Sequence, residues 1–160
     1  MIISNTTPLI NYSSVERLDI LLKLFGNLYI PPAVKNELNE KVEIFPNLQL
    51  VLENPNIKTI NLKDNRIPAL LNIDLHLGES ESIALALENN AQLLLLDEIE
   101  GRRIAEYHKI KIIGTVGCLT LAKQKNIISE VKPILLDIVE KGKFWLNEKL
   151  FHEVLRTNNE

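Results

Sequence analysis

The sequence predicts an α/β protein, and more narrowly a three-layer α/β/α sandwich with a central, mainly parallel sheet. Short apolar runs alternate along the chain with segments whose apolar residues recur at helical spacing. The run at residues 92–96 contains four leucines without polar alternation, which is typical of a strand buried on both faces. Parallel strands need right-handed crossovers, so we expect helices on both faces of the sheet.

The composition is that of an ordinary folded protein. The chain has 160 residues, of which 46% are hydrophobic and 24% are charged, and these values exclude the collagen-like and disordered classes. The length predicts one domain over residues 1–160, with C-terminal helical segments from about residue 129. The formal net charge of −3 repels a polyanion, so any contact with nucleic acid needs a local basic patch.

Cysteine usage and hydropathy predict the compartment. The single cysteine, Cys118, excludes an internal disulfide framework and a multi-cysteine zinc site. No apolar stretch reaches the length of a membrane span, and the N-terminus lacks the basic and apolar regions of a signal peptide. We therefore expect a cytoplasmic protein without a membrane partner.

The N-terminal part of the chain predicts two strand-to-helix units. Residues 1–4 form an apolar run, and residues 5–8 supply capping side chains and a proline suited to a first helical turn. Helical spacing then continues to Phe25 with an interruption near Ser13, which predicts two short helices closed by Gly26. Residues 28–30 read as a second strand, after which two prolines start another helix.

The remaining elements follow the same alternation after a less regular segment. Residues 41–72 are interrupted by prolines, and the one strand that we predict within them covers residues 57–62. The following elements are a helix from Gly78 to the Asn89-Asn90 pair, the leucine-rich strand, a helix over residues 99–109, a strand over residues 111–113 and three helical segments separated near Asn126 and Gly142.

Polar residues with oxygen ligands follow several of these strands. Ligands of parallel sheets bind beyond the carboxyl ends of the strands, so we expect these residues to meet at one edge. They are Asn5, Glu37, Glu79, Glu81 and Asp97. Clustered carboxylates repel one another unless a cation neutralises them, and hard oxygen ligands favour Mg²⁺ or Mn²⁺. The chemistry that this arrangement favours is metal-assisted phosphodiester hydrolysis.

Each of these residues also has a structural interpretation. Asn5 fits a turn or a helix cap, Glu37 fits an exposed helix position, and Asp97 fits the cap of the next helix. Glu79 and Glu81 lie about 200° apart around a helix, so we do not expect both to bind one ion directly. The local periodicity does not decide between these two glutamates.

Four segments together resemble the PIN-domain family. They are SNTTPLIN at residues 4–11, IPPAV at 30–34 continuing to Glu37-Leu38, GESESIALA at 78–86, and the leucine-rich strand that runs into Asp97-Glu98. The chain is similar in particular to a small bacterial and archaeal branch of predicted nucleic-acid-binding proteins, and this similarity extends through residues 101–103 and 114–117. The resemblance covers nearly the whole chain.

The resemblance implies a metal-dependent ribonuclease with Mg²⁺ or Mn²⁺, often the toxin of a toxin–antitoxin pair. Carried over by position, the four family acids correspond to Asn5, Glu37, Glu79 and Asp97. A gap-free alignment to the family favours Glu79 over Glu81, which remains the reserve ligand. Thr6 or Thr7 corresponds to the hydroxyl that the family places beside its first acid.

Asn5 is a departure from the family, because active PIN nucleases have aspartate at this position. An amide oxygen still binds a hard cation, but it adds no negative charge. Two hypotheses follow. The protein is a nuclease of reduced activity, in which Glu37, Glu79 and Asp97 compensate together with Glu81 or Glu98, or it is a catalytically inactive module of the same fold that binds RNA or a protein.

Other features suggest partners. Arg102 and Arg103 are the candidate phosphate-binding residues, although interleaved glutamates also fit a solvated helix face. Apolar and aromatic residues concentrated at 144–154 fit either the core or the interface of a homodimer. Together with the toxin–antitoxin role that the resemblance implies, the expected partners are RNA, an antitoxin protein and a second copy of the chain. The three histidines show no spacing typical of metal ligands.

Overall fold

The computed structural model describes residues 1–71 and 75–160 and contains five strands. The strands are β1 (Ile2–Ser4), β2 (Leu28–Ile30), β3 (Ile57–Thr59), β4 (Leu93–Leu95) and β5 (Ile112–Ile113). They form one all-parallel sheet in the order β3-β2-β1-β4-β5. The order puts β1 at the centre and β3 and β5 at the edges.

Ten helices are assigned within the described ranges. They are α1 (Thr6–Ser14), α2 (Leu18–Phe25), α3 (Pro32–Lys41), α4 (Leu48–Leu52), α5 (Arg66–Leu71), α6 (Leu77–Glu88), α7 (Ile99–Tyr107), α8 (Thr115–Gln124), α9 (Lys132–Lys141) and α10 (Glu148–Thr157). None of these helices is long and apolar enough to cross a bilayer.

The hydrophobic core divides into two clusters, one on each face of the sheet. Ile3 of β1 packs in one cluster with Ile83 of α6 and Ala105 of α7. Leu95 of β4 packs in the other with residues of α1, α3, α8 and α9, among them Leu119. Successive strand residues point to opposite faces, so a buried strand supplies both clusters and reads as an apolar run. The predicted α/β/α sandwich with a parallel sheet is confirmed.

The structure differs from the sequence analysis between residues 41 and 71. This segment was expected to be irregular, but it contains the short helices α4 and α5, and β3 ends at Thr59 instead of residue 62. Helices of five and six residues are too short to establish a periodic pattern. Pro68 also lies in the first turn of α5, where its missing N–H costs nothing. Residue 72, the last of the predicted segment, lies outside the described residues.

The pairing of β1 with β4 positions the polar residues that follow these strands. The two strands are parallel neighbours in which Ser4 lies opposite Leu95. The backbone N–H of Asn5 continues the ladder by donating to the Leu95 carbonyl at 2.9 Å. Both chains therefore leave the sheet side by side at its carboxyl edge.

The buried centre of this sheet gives a stability prediction. Leu95 is fully buried, so Leu95→Ala should lower the free energy of unfolding by about 2–5 kcal/mol because it leaves a cavity. Leu70→Ala is the matched control, since Leu70 is 71% exposed, and its effect should stay within about 0.5 kcal/mol. Urea denaturation measures both. Equal losses in the two variants would contradict the assigned core.

Candidate active site at the carboxyl edge of the sheet

A cleft of about 330 Å³ opens where β1 and β4 end. Its lining residues include three carboxylates, two threonine hydroxyls and one carboxamide, which come from four separate parts of the chain. The lining residues are Asn5, Thr6, Thr7, Glu37, Lys41, His76, Leu77, Glu79 and Glu98. We call this cavity the acid cleft.

Asn5 lies at the base of the acid cleft with only 2% of its surface exposed. Its Nδ2 group donates to Glu98 Oε2 at 3.1 Å. Its Oδ1 atom is buried and accepts no hydrogen bond from the residues that the structure describes. A buried acceptor without a partner is rare and costly, so this oxygen needs a donor or a cation.

Glu37 is held in the cleft from two sides. The Thr6 hydroxyl donates to Oε2, and the backbone N–H of Gly78 donates to Oε1 at 3.1 Å. A Cβ atom on Gly78 would lie 2.5 and 2.7 Å from the two carboxylate oxygens. Glycine at the start of α6 therefore lets the helix backbone approach this carboxylate, and Glu37 is not a freely solvated helix residue.

Glu79 is the most deeply buried carboxylate of the cleft, at 5% exposure. Its Oε2 accepts from the backbone N–H of His76 at 3.0 Å, which forms the capping contact of α6. Burial raises the pKa of Glu79 above its usual value, the His76 hydrogen bond opposes this rise, and the charges of Glu98 and Glu37 add to it. The cleft thus holds carboxylates that repel one another.

Two residues that follow β1, Asn5 and Thr7, orient the Glu98 carboxylate into the cleft. The Thr7 hydroxyl donates to Oε1, and Asn5 Nδ2 donates to Oε2. The sequence analysis considered Glu98 only as a compensating carboxylate. The alternation of side chains past the end of β4 could have identified it, since adjacent residues there point to opposite sides.

Asp97 does not line the acid cleft. Its Oδ1 accepts from the backbone N–H of Thr115 at 2.8 Å, and its Oδ2 accepts from the Thr115 hydroxyl at 2.6 Å. It lies instead on a second groove, described below. Burial raises the pKa of Asp97 to about 6, although the two Thr115 hydrogen bonds oppose the shift.

The two candidate glutamates of α6 occupy different places. Glu79 lines the acid cleft, whereas Glu81 Oε2 accepts from the backbone N–H of Ala33 at 2.8 Å and is not among the lining residues. Glu81 thereby satisfies a free N–H in the first turn of α3.

The arginines that the sequence suggested for phosphate binding also lie outside the acid cleft. Arg102 Nη1 donates to the Leu96 carbonyl at 3.0 Å, and exposed Arg103 pairs with Glu100 at 2.9 Å. Among the lining residues of the cleft, the basic side chains are Lys41 and His76. Sequence reasoning missed both, and the signal for His76 was its position three residues before Glu79, the spacing of a capping box.

The donor chemistry of the cleft fits a hard divalent cation. Glu37, Glu79 and Glu98 offer carboxylate oxygens, and Asn5 Oδ1 is an unpartnered oxygen beside them. Within residues 1–71 and 75–160, no three His, Cys, Asp or Glu side chains are close enough together to hold an ion. A hard cation such as Mg²⁺ usually keeps several water ligands and needs only one or two protein carboxylates.

An all-parallel α/β/α sandwich with an acid-lined cleft at the carboxyl ends of its central strands defines a nuclease-like domain. The sequence matches the family DUF3368, described as a PIN domain, over residues 1–160, so the chain belongs to this PIN-domain family. PIN domains generally use divalent metals, and membership of this family suggests nucleic-acid binding. No curated protein matches the sequence.

Asp97 gives a pH prediction. Its pKa rises from 3.8 to about 6, so the folded state favours the protonated carboxyl. The associated stability, roughly 3 kcal/mol, is complete below pH 3.8 and is lost as the pH rises through about 6. In EDTA, the free energy of unfolding should fall more steeply between about pH 4 and pH 7 in the wild type than in Asp97→Asn. Parallel profiles from urea denaturation would contradict the assignment.

Proposed function

We propose that this protein is a divalent-metal-dependent endoribonuclease that hydrolyses phosphodiester bonds in its acid cleft. The observation that carries the proposal is the unpartnered Asn5 Oδ1, buried in a cleft with three glutamates. An uncompensated group of this kind is expected where a cation binds and is hard to explain as packing alone. Mg²⁺ and Mn²⁺ are the cations that match an all-oxygen donor set.

The residues of the cleft have distinct proposed roles. Glu37, Glu79, Glu98 and Asn5 would hold the cation, which when bound polarises the phosphate and lowers the pKa of a water molecule. Thr6 and Thr7 donate to two of these carboxylates and fix which oxygens face the cleft. In this proposal Glu98 takes the ligand role that the sequence suggested for Asp97.

Asp97 then acts as a positioning residue. Its two hydrogen bonds to Thr115 fix the residue next to Glu98 against the start of α8. Thr115 in turn accepts from Tyr12 at its carbonyl and from Asn11 at its hydroxyl. This buried network restrains the turn from which Glu98 extends.

Lys41 and His76 are the proposed phosphate-positioning residues at the cleft. A substrate with a negative backbone must approach three carboxylates, and the Lys41 ammonium and a ring N–H of His76 are the groups in the lining that can bind its phosphate. The partner is RNA in this proposal. The toxin role and the antitoxin partner rest on the family resemblance alone. The homodimer rests on the apolar residues at 144–154, and the cytoplasmic location rests on the cysteine usage and hydropathy of the sequence.

A catalytically inactive binding module is the second candidate, and the Asn5–Glu98 hydrogen bond favours it. Asn5 lacks the negative charge that an aspartate would have at this position. Its Nδ2 group also donates to Glu98 Oε2, an oxygen that would otherwise be free to bind a metal. An apoprotein with this bond has less need of a cation than one with aspartate at the same place. The metal-binding and cleavage experiments below distinguish the two candidates.

Glu79→Gln should weaken Mn²⁺ binding at least tenfold, because it removes a negative charge from the cleft. A tenfold loss of affinity corresponds to about 1.4 kcal/mol of binding free energy. Glu81→Gln is the matched control, two residues away on the same helix but bonded to Ala33, and should leave the affinity nearly unchanged. Titration calorimetry measures both. A larger loss in Glu81→Gln would show that the wrong glutamate has been assigned to the cleft.

Asn5→Asp should raise Mn²⁺ affinity about tenfold and increase RNA cleavage, which EDTA should abolish. It also removes the Nδ2 donor to Glu98, so in EDTA the free energy of unfolding should fall by about 1–3 kcal/mol. Calorimetry, denaturation and a broad panel of RNAs test these outcomes. Higher Mn²⁺ affinity without RNA cleavage would favour the binding module. If neither the Mn²⁺ affinity nor the cleavage increases, Asn5, Glu37, Glu79 and Glu98 do not form one metal site.

A further inference from the structure

A second groove of about 610 Å³ lies beside the acid cleft, at the β5 edge of the sheet. Its wall combines the start of α7, the first turn of α8 and the segment that leads into α10. Three of its apolar side chains are strongly exposed: Trp145 at 78%, Ile99 at 77% and Leu150 at 40%. We call this cavity the tryptophan groove.

We propose that the tryptophan groove binds an unstacked base of single-stranded RNA, with the base stacked on the Trp145 indole. The proposal rests on the proposed function, because it takes the strand in the groove to be the same strand that enters the acid cleft. It assigns a base-binding subsite to residues outside the acid cleft.

The first support is the nature of the wall. A large exposed aromatic ring with apolar neighbours is the platform on which single-stranded nucleic acids stack, and every base offers a π-face to such a platform. Arg102 adds a cation to the same wall. Its Nη1 is held by the Leu96 carbonyl, and its other side-chain N–H groups make no hydrogen bond to the described residues, so they are available to a base edge or a phosphate.

The second support is continuity with the acid cleft. Asp97 lines the tryptophan groove, and the next residue, Glu98, lines the acid cleft. The two cavities therefore meet at the backbone between residues 97 and 98, at the end of β4. The proposal takes this shared boundary as the point where one strand passes from the cleft to the groove.

A second copy of the chain fits the groove less well. A standard protein interface uses about 20–30 residues on each side, whereas thirteen residues line this groove. The groove is also concave and has a guanidinium in its wall, which suits an inserted planar ring. Self-association is nevertheless an outcome that the following experiment detects.

Trp145 is the only tryptophan of the chain and so reports directly on the groove. A short oligouridylate added in EDTA should quench its fluorescence saturably, while inorganic polyphosphate should not. With a labelled oligouridylate and anisotropy, Trp145→Leu should bind about tenfold more weakly, and Trp145→Phe should retain most of the affinity. Tyr107→Leu is the matched control, because Tyr107 is 83% exposed and does not line the groove.

Three results would overturn the inference. They are RNA binding by anisotropy without quenching of Trp145, equal quenching by polyphosphate, and an emission shift that depends on protein concentration without RNA, which would identify a second copy in the groove. The proposed function fails separately. Quenching of Trp145 without Mn²⁺-dependent cleavage would contradict the proposed nuclease activity but support the base-binding subsite. Cleavage that Glu79→Gln abolishes, without quenching of Trp145, would support the nuclease activity but contradict the subsite.

Discussion

The site depends on the pairing of β1 with β4 at the centre of the sheet. Both strands are only a few residues long, and their hydrogen-bond ladder extends one residue beyond β1 because the Asn5 N–H donates to the Leu95 carbonyl. The ladder fixes the start of α1 and the turn before α7 against each other, although they are far apart in the sequence. Every hydrogen bond between the Asn5–Thr7 turn and Glu98 exists because of this register.

The sequence predicted the elements whose buried residues form a regular pattern along the chain. The all-apolar strands predicted a parallel sheet buried on both faces, and the edge at which polar residues collect followed from the topology of such sheets. Sequence reasoning failed at α4 and α5, which hold a few buried side chains such as Leu48 and Val51 without a repeating face. Their helicity comes from contacts with distant elements, which local periodicity does not record.

For the candidate site, residue type was predictable but side-chain direction was not. Asp97 and Glu98 are adjacent acids, and the family resemblance pointed to the first. Thr115, at the start of α8, donates its N–H and its hydroxyl to Asp97. These two hydrogen bonds hold Asp97 away from the cleft and leave Glu98 facing it. Arg102 is likewise directed away by a carbonyl six residues earlier. Such partners become visible only once the chain is folded.

The contact between Gly78 and Glu37 links the cleft to the packing of two helices. Glu37 belongs to α3 and receives a hydrogen bond from the backbone of α6, so the distance between these helices sets where one acidic oxygen lies. Core residues between the helices therefore affect the width of the acidic opening, although they do not line it. Ionic radius distinguishes Mg²⁺ from larger cations by fractions of an ångström, so under the proposed function a change in the hydrophobic core would alter which cation fits the cleft best.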